Sequence, residues 1–509
     1  MIINRAKNAK RNIIAGLVNK ISGIVLPFAI RTVFIHTLGA EYLGLNSLFT
    51  SILQVLNLSE LGVGTAIIYS MYKPIAENDS QQICALLNFY RKAYKVIGLF
   101  IIIAGTVLSP FLPHLISGTY PADINLYLVY FVYIINIALS YLMFAYKGAL
   151  LCAFQRNDVT SNINTFMIFT LNVCQCVILF TVASGKAYYL YILMMPLTTV
   201  LNNIITSATV DKMFPEYKCE GKISKKTFNA VKKQVSGLMI TKICQISRNS
   251  LDSIFVSALF GLILTTIYSN YYYIMNAVIV LTGVLTTSLV AGVGNSIALD
   301  TVQKNYEDLE KINFLYMWIS GWCTICLLCL YQPFMELWVG VDLMLPFSSV
   351  VLFAMYFYAL KMGDIRGLYS DATGLWWQNR WRALFEAISN VILNYVLGKL
   401  LGVNGIILGT LLSLLVINFG FGSQIIFKYY FKGIKCSKYF ASHAIYAVVT
   451  TLAAFVTYKV CTFVEVGNIL GLFIKMIICV VVPNIIYLAI YFRRRRFAET
   501  KDWLLKKIK

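Results

Sequence analysis

Charge is what this sequence has least of. Only 13% of its 509 residues are Asp, Glu, Lys or Arg, about half the roughly 25% of an ordinary soluble domain. So few charges cannot cover a water-facing surface of this length, which excludes a string of soluble domains, and the apolar excess equally excludes disorder. Acidic residues are scarcer still, 22 against 43 basic ones. Histidine occurs three times, at His36, His114 and His443, widely separated and near the edges of apolar runs, so it builds no site. There is no Asp-x-Asp sugar-nucleotide motif and no Ser/His/Asp set. Long polar insertions are missing too: the longest stretches between apolar runs lie near 71–92 and 211–233. A membrane polymerase, ligase or glycosyltransferase generally needs such a loop or a soluble domain for its catalytic residues, so the chain reads as no enzyme. Twelve cysteines are present, most of them inside apolar runs, where a free Cys behaves as a small hydrophobe. Cys323, Cys326 and Cys329 have ligand-like spacing, but with no His or Cys cluster near them they read as packing, and no metal or cofactor is expected.

What the chain has is apolar length. Residues of the set AVILMFWYC make up 59% of it, in continuous rather than alternating runs, which excludes an outer-membrane barrel and predicts an all-α polytopic membrane protein. Lipid cannot satisfy a bare backbone, so each span is a helix of about 20 mostly apolar residues. Fourteen are read, near 12–35, 43–70, 93–113, 124–147, 159–183, 187–210, 234–260, 266–298, 312–332, 344–369, 383–401, 404–427, 441–463 and 467–492. The first is too long for a signal peptide and has no small-residue cleavage site after it, so it is expected to stay as a span.

The net charge of +21 then finds its place. With the N-terminus cytoplasmic, thirty-three basic residues fall on the cytoplasmic side, including Arg5, Lys7, Lys10 and Arg11, seven lysines between Lys212 and Lys233, and Arg493 to Arg496. Only Lys186, Lys399 and Lys459 fall opposite. That asymmetry predicts a multi-pass protein with both termini cytoplasmic, and it removes nucleic acid as a partner. The four-arginine tail reads as a lipid-headgroup anchor. Tyr271, Tyr272 and Tyr273, at the start of the eighth span, read chiefly as an interfacial belt.

A faint repeat runs through the spans. A shift of 222 residues brings Gly39 onto Gly261, Ser47 onto Ser269, Ala76 onto Ala298, Asn78 onto Asp300 and Tyr94 onto Tyr316. Span one thereby aligns with span seven, and span two with span eight. Six spans per repeat is an even number, so the repeats are parallel, a transporter architecture. The expected layout is a six-helix lobe over 1–210, a basic cytoplasmic linker over 211–233, a second six-helix lobe over 234–434, and two extra helices with a basic tail over 435–509.

Seven basic residues remain inside spans: Lys20, Arg31, Lys242, Arg248, Lys361, Arg366 and Lys475. Each costs at least ~2.5–3.5 kcal/mol at the bilayer centre unless it meets a partner or a wet cavity. Lys20 and Arg31 are eleven residues apart, hence within about 20° on one helical face and roughly 16 Å apart along it, with Pro27 between them as an expected kink. Arg248 and Asp252 stand at i, i+4, and Glu60 follows Asn57 at i, i+3. One reading is a cationic cavity between the lobes, lined by Arg31, Arg248, Lys20 and Lys242 and suited to phosphate, which Arg binds in a planar, bidentate way. The other pairs Arg248 with Asp252 and Lys20 with Glu60 as structural bridges, with Arg31 reaching outward. Asp364, Arg366, Glu386 and Asn390 form a second polar seam, Arg382, Glu386, Asn390 and Asn394 recurring every four residues; it serves as a helix–helix contact or as a substrate contact. Lys475 reads as a snorkelling or packing residue on a peripheral helix.

Several strings carry a resemblance. Leu58 to Glu77 (LSELGVGTAIIYSMYKPIAE) resembles the second helix and following loop of polysaccharide flippases of the MOP exporter superfamily. Ala149 to Gln155 (ALLCAFQ), Asp252 to Ser257 (DSIFVS), Tyr268 to Tyr271 (YSNY), Asp371 to Gln378 (DATGLWWQ) and Gly402 to Thr410 (GVNGIILGT) are similar to the same family, in order and in register with six, six and two spans. The resemblance implies two rocking lobes around a cavity in the bacterial cytoplasmic membrane. It implies that a polyprenyl-diphosphate-linked oligosaccharide of O-antigen or capsule type is flipped to the outer leaflet, with membrane lipids, a polysaccharide polymerase and glycosyltransferases as partners. Arg31 and Arg248 match the family's cationic residues by helix and depth, whereas the eighth span lacks any Lys or Arg. Proton or sodium coupling would need a membrane carboxylate, for which Glu60 and Asp252 are the candidates. The alternative is a cation-coupled small-molecule antiporter of the related multidrug branch.

Overall fold

The computed structural model describes the backbone over residues 5–57, 62–464 and 469–508. Side chains are described over the same stretches except at 5–10, 184–185, 230, 233–234, 236–249, 291 and 504–508. All regular structure among the described residues is helical. The first eight helices are α1 (Arg5–Leu38), α2 (Ala40–Leu56), α3 (Val63–Ala76), α4 (Ser80–Leu108), α5 (Leu126–Leu142), α6 (Gly148–Ala153), α7 (Asn157–Thr181) and α8 (Ser184–Met213). After the basic loop come α9 (Lys225–Phe260), α10 (Leu262–Leu299), α11 (Val302–Val339), α12 (Phe347–Met362), α13 (Asp364–Ala372), α14 (Trp376–Leu401), α15 (Val403–Leu412) and α16 (Gly422–Tyr429). The chain closes with α17 (Cys436–Thr462), α18 (Ile469–Tyr491) and α19 (Arg495–Ile508).

Among the described residues, each of the fourteen predicted spans lies largely on helix. Ten helical stretches are long and apolar enough to cross a membrane among the described residues, or eleven if α5 and the bent 145–153 segment form one span. The other three predicted spans differ for readable reasons. The span at 43–70 is divided between α2 and α3, and the one at 344–369 is broken at Gly363, beside Lys361, Asp364 and Arg366. Of the span at 234–260, Ser250–Phe260 of α9 is a short apolar stretch, and the side chains of 236–249 lie outside the described residues. Pro27 sits inside an α1 that runs unbroken, so the expected kink does not interrupt the helix.

The chain divides into two compact units, Met1–Thr266 and Ile267–Lys509. In the first, α1 packs along α7, α5 bridges α4 and α8, and α9 lies against α2 and α3. Buried aromatics, among them Phe49, Tyr130, Tyr133 and Tyr188, fill its core. In the second, α14 packs on α15, and α11 is the central post that α12, α17 and α18 lean against. Tyr271 is fully buried, donating to Gln332 Oε1 at 2.7 Å and accepting from Leu345 N at 3.2 Å, so it is a core residue rather than part of an interfacial belt. Within the arginine tail, Arg496 donates to Glu310 Oε1 at 2.7 Å and clamps α19 onto α11.

The repeat is written in the backbone. Gly39 (φ 93°, ψ 177°) and Gly261 (φ 86°, ψ −178°) occupy the same region, in which only glycine is at ease, and each precedes the helix its repeat mate predicts. Gly118 and Gly340, again 222 apart, have φ of 84° and 81°. Asp79 and Thr301 cap α4 and α11 alike, each side chain accepting from the backbone N–H three residues on. A methyl at Gly39 meets nothing within 4 Å, whereas one at Gly261 would lie 2.6 Å from the Ser117 carbonyl oxygen. Gly39→Ala is therefore expected to cost about 1–3 kcal/mol in backbone strain alone. Gly261→Ala should cost a further ~1–3 kcal/mol of overpacking. Paired thermal unfolding curves in detergent check this, and equal losses would contradict the close approach at Ser117.

Candidate substrate and coupling site

The residues proposed to meet substrate lie mostly on helices of the first unit. Lys20 and Arg31 project from α1, Lys20 exposed and Arg31 half-buried within electrostatic reach of Tyr191. The neighbouring polar residues of α1 are engaged with α7 and the turn before it: Asn19 donates to Thr165 Oγ1 at 3.1 Å and Asn12 to the Gln155 carbonyl at 3.1 Å. Away from these contacts α1 carries an exposed apolar row, Ile14, Leu17, Ile21 and Val25, that suits hydrocarbon. Asp252 lies on α9 and is 1% exposed. Lys242 and Arg248 belong to the same helix, with side chains outside the described residues, and Glu60 is outside them altogether.

Both α1 and α9 touch α2, which holds the two charged helices to one post. A glycine also lets the start of α10 come close to α2: a Cβ on Gly44 of α2 would stand 2.1 Å from the Leu262 carbonyl oxygen. Ser250 of α9 donates to Gln54 Oε1 at 2.9 Å, and Thr266 Oγ1 donates to the Ala40 carbonyl at 2.5 Å. The end of α9 is tied down by Ser257, whose hydroxyl donates to the Leu115 carbonyl at 2.7 Å. Asp252 therefore sits on a segment fixed on both sides, a requirement for a carboxylate that must present one geometry to an ion.

The second polar seam is a set of neighbouring hydrogen-bonded groups. Arg382 Nη1 donates to Glu386 Oε2 at 2.7 Å, and Asn418 Nδ2 donates to the same oxygen at 2.8 Å. Asn418 in turn accepts from Arg366 Nη2 at 3.0 Å. Asp364 accepts from Lys361 at 3.0 Å and from the Tyr316 hydroxyl at 2.5 Å. One turn along α14 from Glu386, Asn390 donates to Thr410 Oγ1 at 2.8 Å. Lys361, Arg366, Arg382, Glu386, Asn390 and Asn394 are all buried. Here protein groups answer protein groups, the pattern of a helix–helix seam. Asn418, the hub, was missed in the sequence, although a lone Asn in the run Leu414-Leu-Val-Ile-Asn418-Phe419 is the kind of intramembrane polar residue that signals a partner.

No protein-family model and no curated protein matches the sequence. Solved structures do match the fold. An inward-facing multidrug resistance MATE family transporter of the MOP superfamily aligns with a TM-score of 0.62 at 12% identity, over 80% of this chain and 95% of that one. The lipid II flippase MurJ, in an inward closed conformation, aligns with a TM-score of 0.63 at 15% identity, over 94% of this chain and 99% of that one. The chain has the MOP transporter fold. A Vibrio cholerae MATE transporter in a bent form gives a TM-score of 0.55 at 12% identity, over 87% and 99% of the two chains. At these identities it is the helical path that is shared, and the side chains that would select a substrate are this chain's own.

Of the two readings of Lys475, packing fits the structure: it is 7% exposed and lines a cavity of ≈ 210 Å³. One expectation needs correcting. Cys329 does have cysteine neighbours, since Cys461 and Cys479 meet it from two other helices.

Proposed function

We propose that this protein is a multi-pass transporter of the bacterial cytoplasmic membrane, with both termini cytoplasmic, that flips polyprenyl-diphosphate-linked oligosaccharides to the outer leaflet by alternating access, for cell-surface polysaccharide assembly. The observation that carries this reading is the set of intramembrane charges on α1 and α9 in a chain whose fold matches the lipid II flippase MurJ over nearly its whole length. Moving a diphosphate and its glycan through hydrocarbon calls for a wet cationic lining, with no covalent step. In this reading Arg31 and Arg248 hold the diphosphate, Lys20 and Lys242 extend the field toward the cytoplasm, and Glu60 or Asp252 changes proton or sodium occupancy. The seam at Asp364, Arg366, Glu386 and Asn390 holds the second lobe together rather than touching substrate.

A second reading, a cation-coupled antiporter of small molecules, draws on the same buried Asp252 and on the MATE neighbours. Proteoliposomes separate the two. With a fluorescent lipid-linked oligosaccharide in the inner leaflet, the protein is expected to speed its exposure to an external quencher by about tenfold or more over protein-free vesicles. If flipping stays at the background rate while cationic dyes are exchanged against protons or sodium, the antiporter reading replaces the flippase.

A further inference from the structure

We propose that Cys329, Cys461 and Cys479 form a zinc site that staples the two C-terminal helices to α11. The three thiols come from α11, α17 and α18, and their Sγ atoms all lie within 4.8 Å of one another. All three residues are buried. Tetrahedral zinc holds thiolate sulfurs at about 2.3 Å, which sets sulfur–sulfur separations near 3.8 Å, so closure needs shifts of only about 1 Å. Three helices that pack mutually can deliver that without changing their path.

The surroundings fit a metal better than they fit packing. Cys329 and Cys461 open onto the ≈ 210 Å³ cavity, which Gln332, Glu336, Tyr458, Thr462 and Lys475 also line. That cavity, polar in part, provides an entry path and room for a water at the fourth coordination position. Lys475 has no carboxylate partner among the described residues, and its charge reaches the Cys461 sulfur. A buried ammonium without an anion is costly. On binding, three S–H protons leave and three Zn–S bonds form; Zn²⁺ with three thiolates carries −1, which the Lys475 ammonium cancels. A singly charged soft ion would leave the site at −1 even with Lys475, and a fourth thiolate would do the same to zinc. The three sulfurs that meet, with a water from the cavity, make the ligand set, and Cys326, one turn before Cys329, is not part of that cluster.

The full-length protein in detergent, incubated with Zn²⁺ and desalted, is expected to retain about one zinc per chain by elemental analysis. Cys326→Ser should retain as much. Cys329→Ser, Cys461→Ser and Cys479→Ser should each fall to roughly a tenth or less while eluting as wild type in gel filtration. Co²⁺ in the wild-type protein should give the near-ultraviolet thiolate charge-transfer band and strong visible bands of a tetrahedral sulfur site, a readout independent of how the variants fold. The proposal is overturned if the wild type retains no zinc or if Cys329→Ser retains it. Fewer than twelve free thiols in the denatured, metal-free chain, marking a disulfide within the cluster, would overturn it as well.

Discussion

Glu386→Ala is expected to destabilise the protein by about 3–5 kcal/mol, the cost of leaving buried charges without their partner. The carboxylate is 2% exposed and is the only acid in direct contact with Arg382 among the described residues. It also orients Asn418, through which Arg366 is held. Removing it leaves the buried Arg382 guanidinium without its carboxylate and loosens the Asn418 amide that holds Arg366. Glu386→Gln, which keeps an acceptor but loses the charge, should lose clearly less. Thermal unfolding in detergent compares the two; an alanine variant that melts with the wild type would mean that the seam is solvated and open to substrate.

The geometry around Arg366 explains why this network has little room to rearrange. A Cβ on Gly422 would fall 1.5 Å from Arg366 Nη1, and one on Gly363 would stand 3.2 Å from Nη2. The guanidinium thus occupies space that two glycines leave open. The π-helical turn Ser413–Phe421 between α15 and α16 carries Asn418, the residue that contacts both Arg366 and Glu386. Such turns inside helices are rare and cluster where a side chain must be re-aimed.

How much of this was legible depended on the range of the signal. Apolar length is local, so all fourteen helical regions could be read directly. The repeat was legible only as weak identities, yet Gly39 and Gly261 were among them because a backbone conformation, not packing, demands glycine there. The breaks were harder. Gly363 interrupts an apolar run whose average hydropathy hides it, and the π turn at 413–421 leaves no compositional mark because its residues suit an α-helix equally well.

Site residues followed the same rule. Glu386, Asn390 and Asn394 recur every four residues on one helix, so their shared face was visible. Asn418 answers them from another helix, and no spacing rule connects it to them. Cys461 and Cys479 are likewise remote in sequence from Cys329, and only the packing of α17 and α18 on α11 brings the sulfurs together. Lys475 looked peripheral because its helix is apolar all round; the cavity that receives it is a property of four helices.

Asp252→Asn is expected to abolish the part of transport driven by a proton or sodium gradient, a fall of about tenfold or more, while the protein remains folded. The substitution keeps the shape of a side chain that is 1% exposed and removes only its charge. A coupling carboxylate must change occupancy during the cycle, and an amide cannot. Were Asp252 instead a static partner for Arg248, one turn earlier on α9, the loss would appear in stability, because the cation would then lack its anion. Measuring flipping with and without an imposed gradient, beside a melting curve, tells the two roles apart. Gradient dependence that survives in Asp252→Asn would remove it as the coupling residue and leave Glu60 in that role. Arg31→Ala supplies the complementary test, since a residue that holds diphosphate should weaken substrate binding and leave gradient dependence intact. Together the two variants separate the group that recognises cargo from the group that drives its movement.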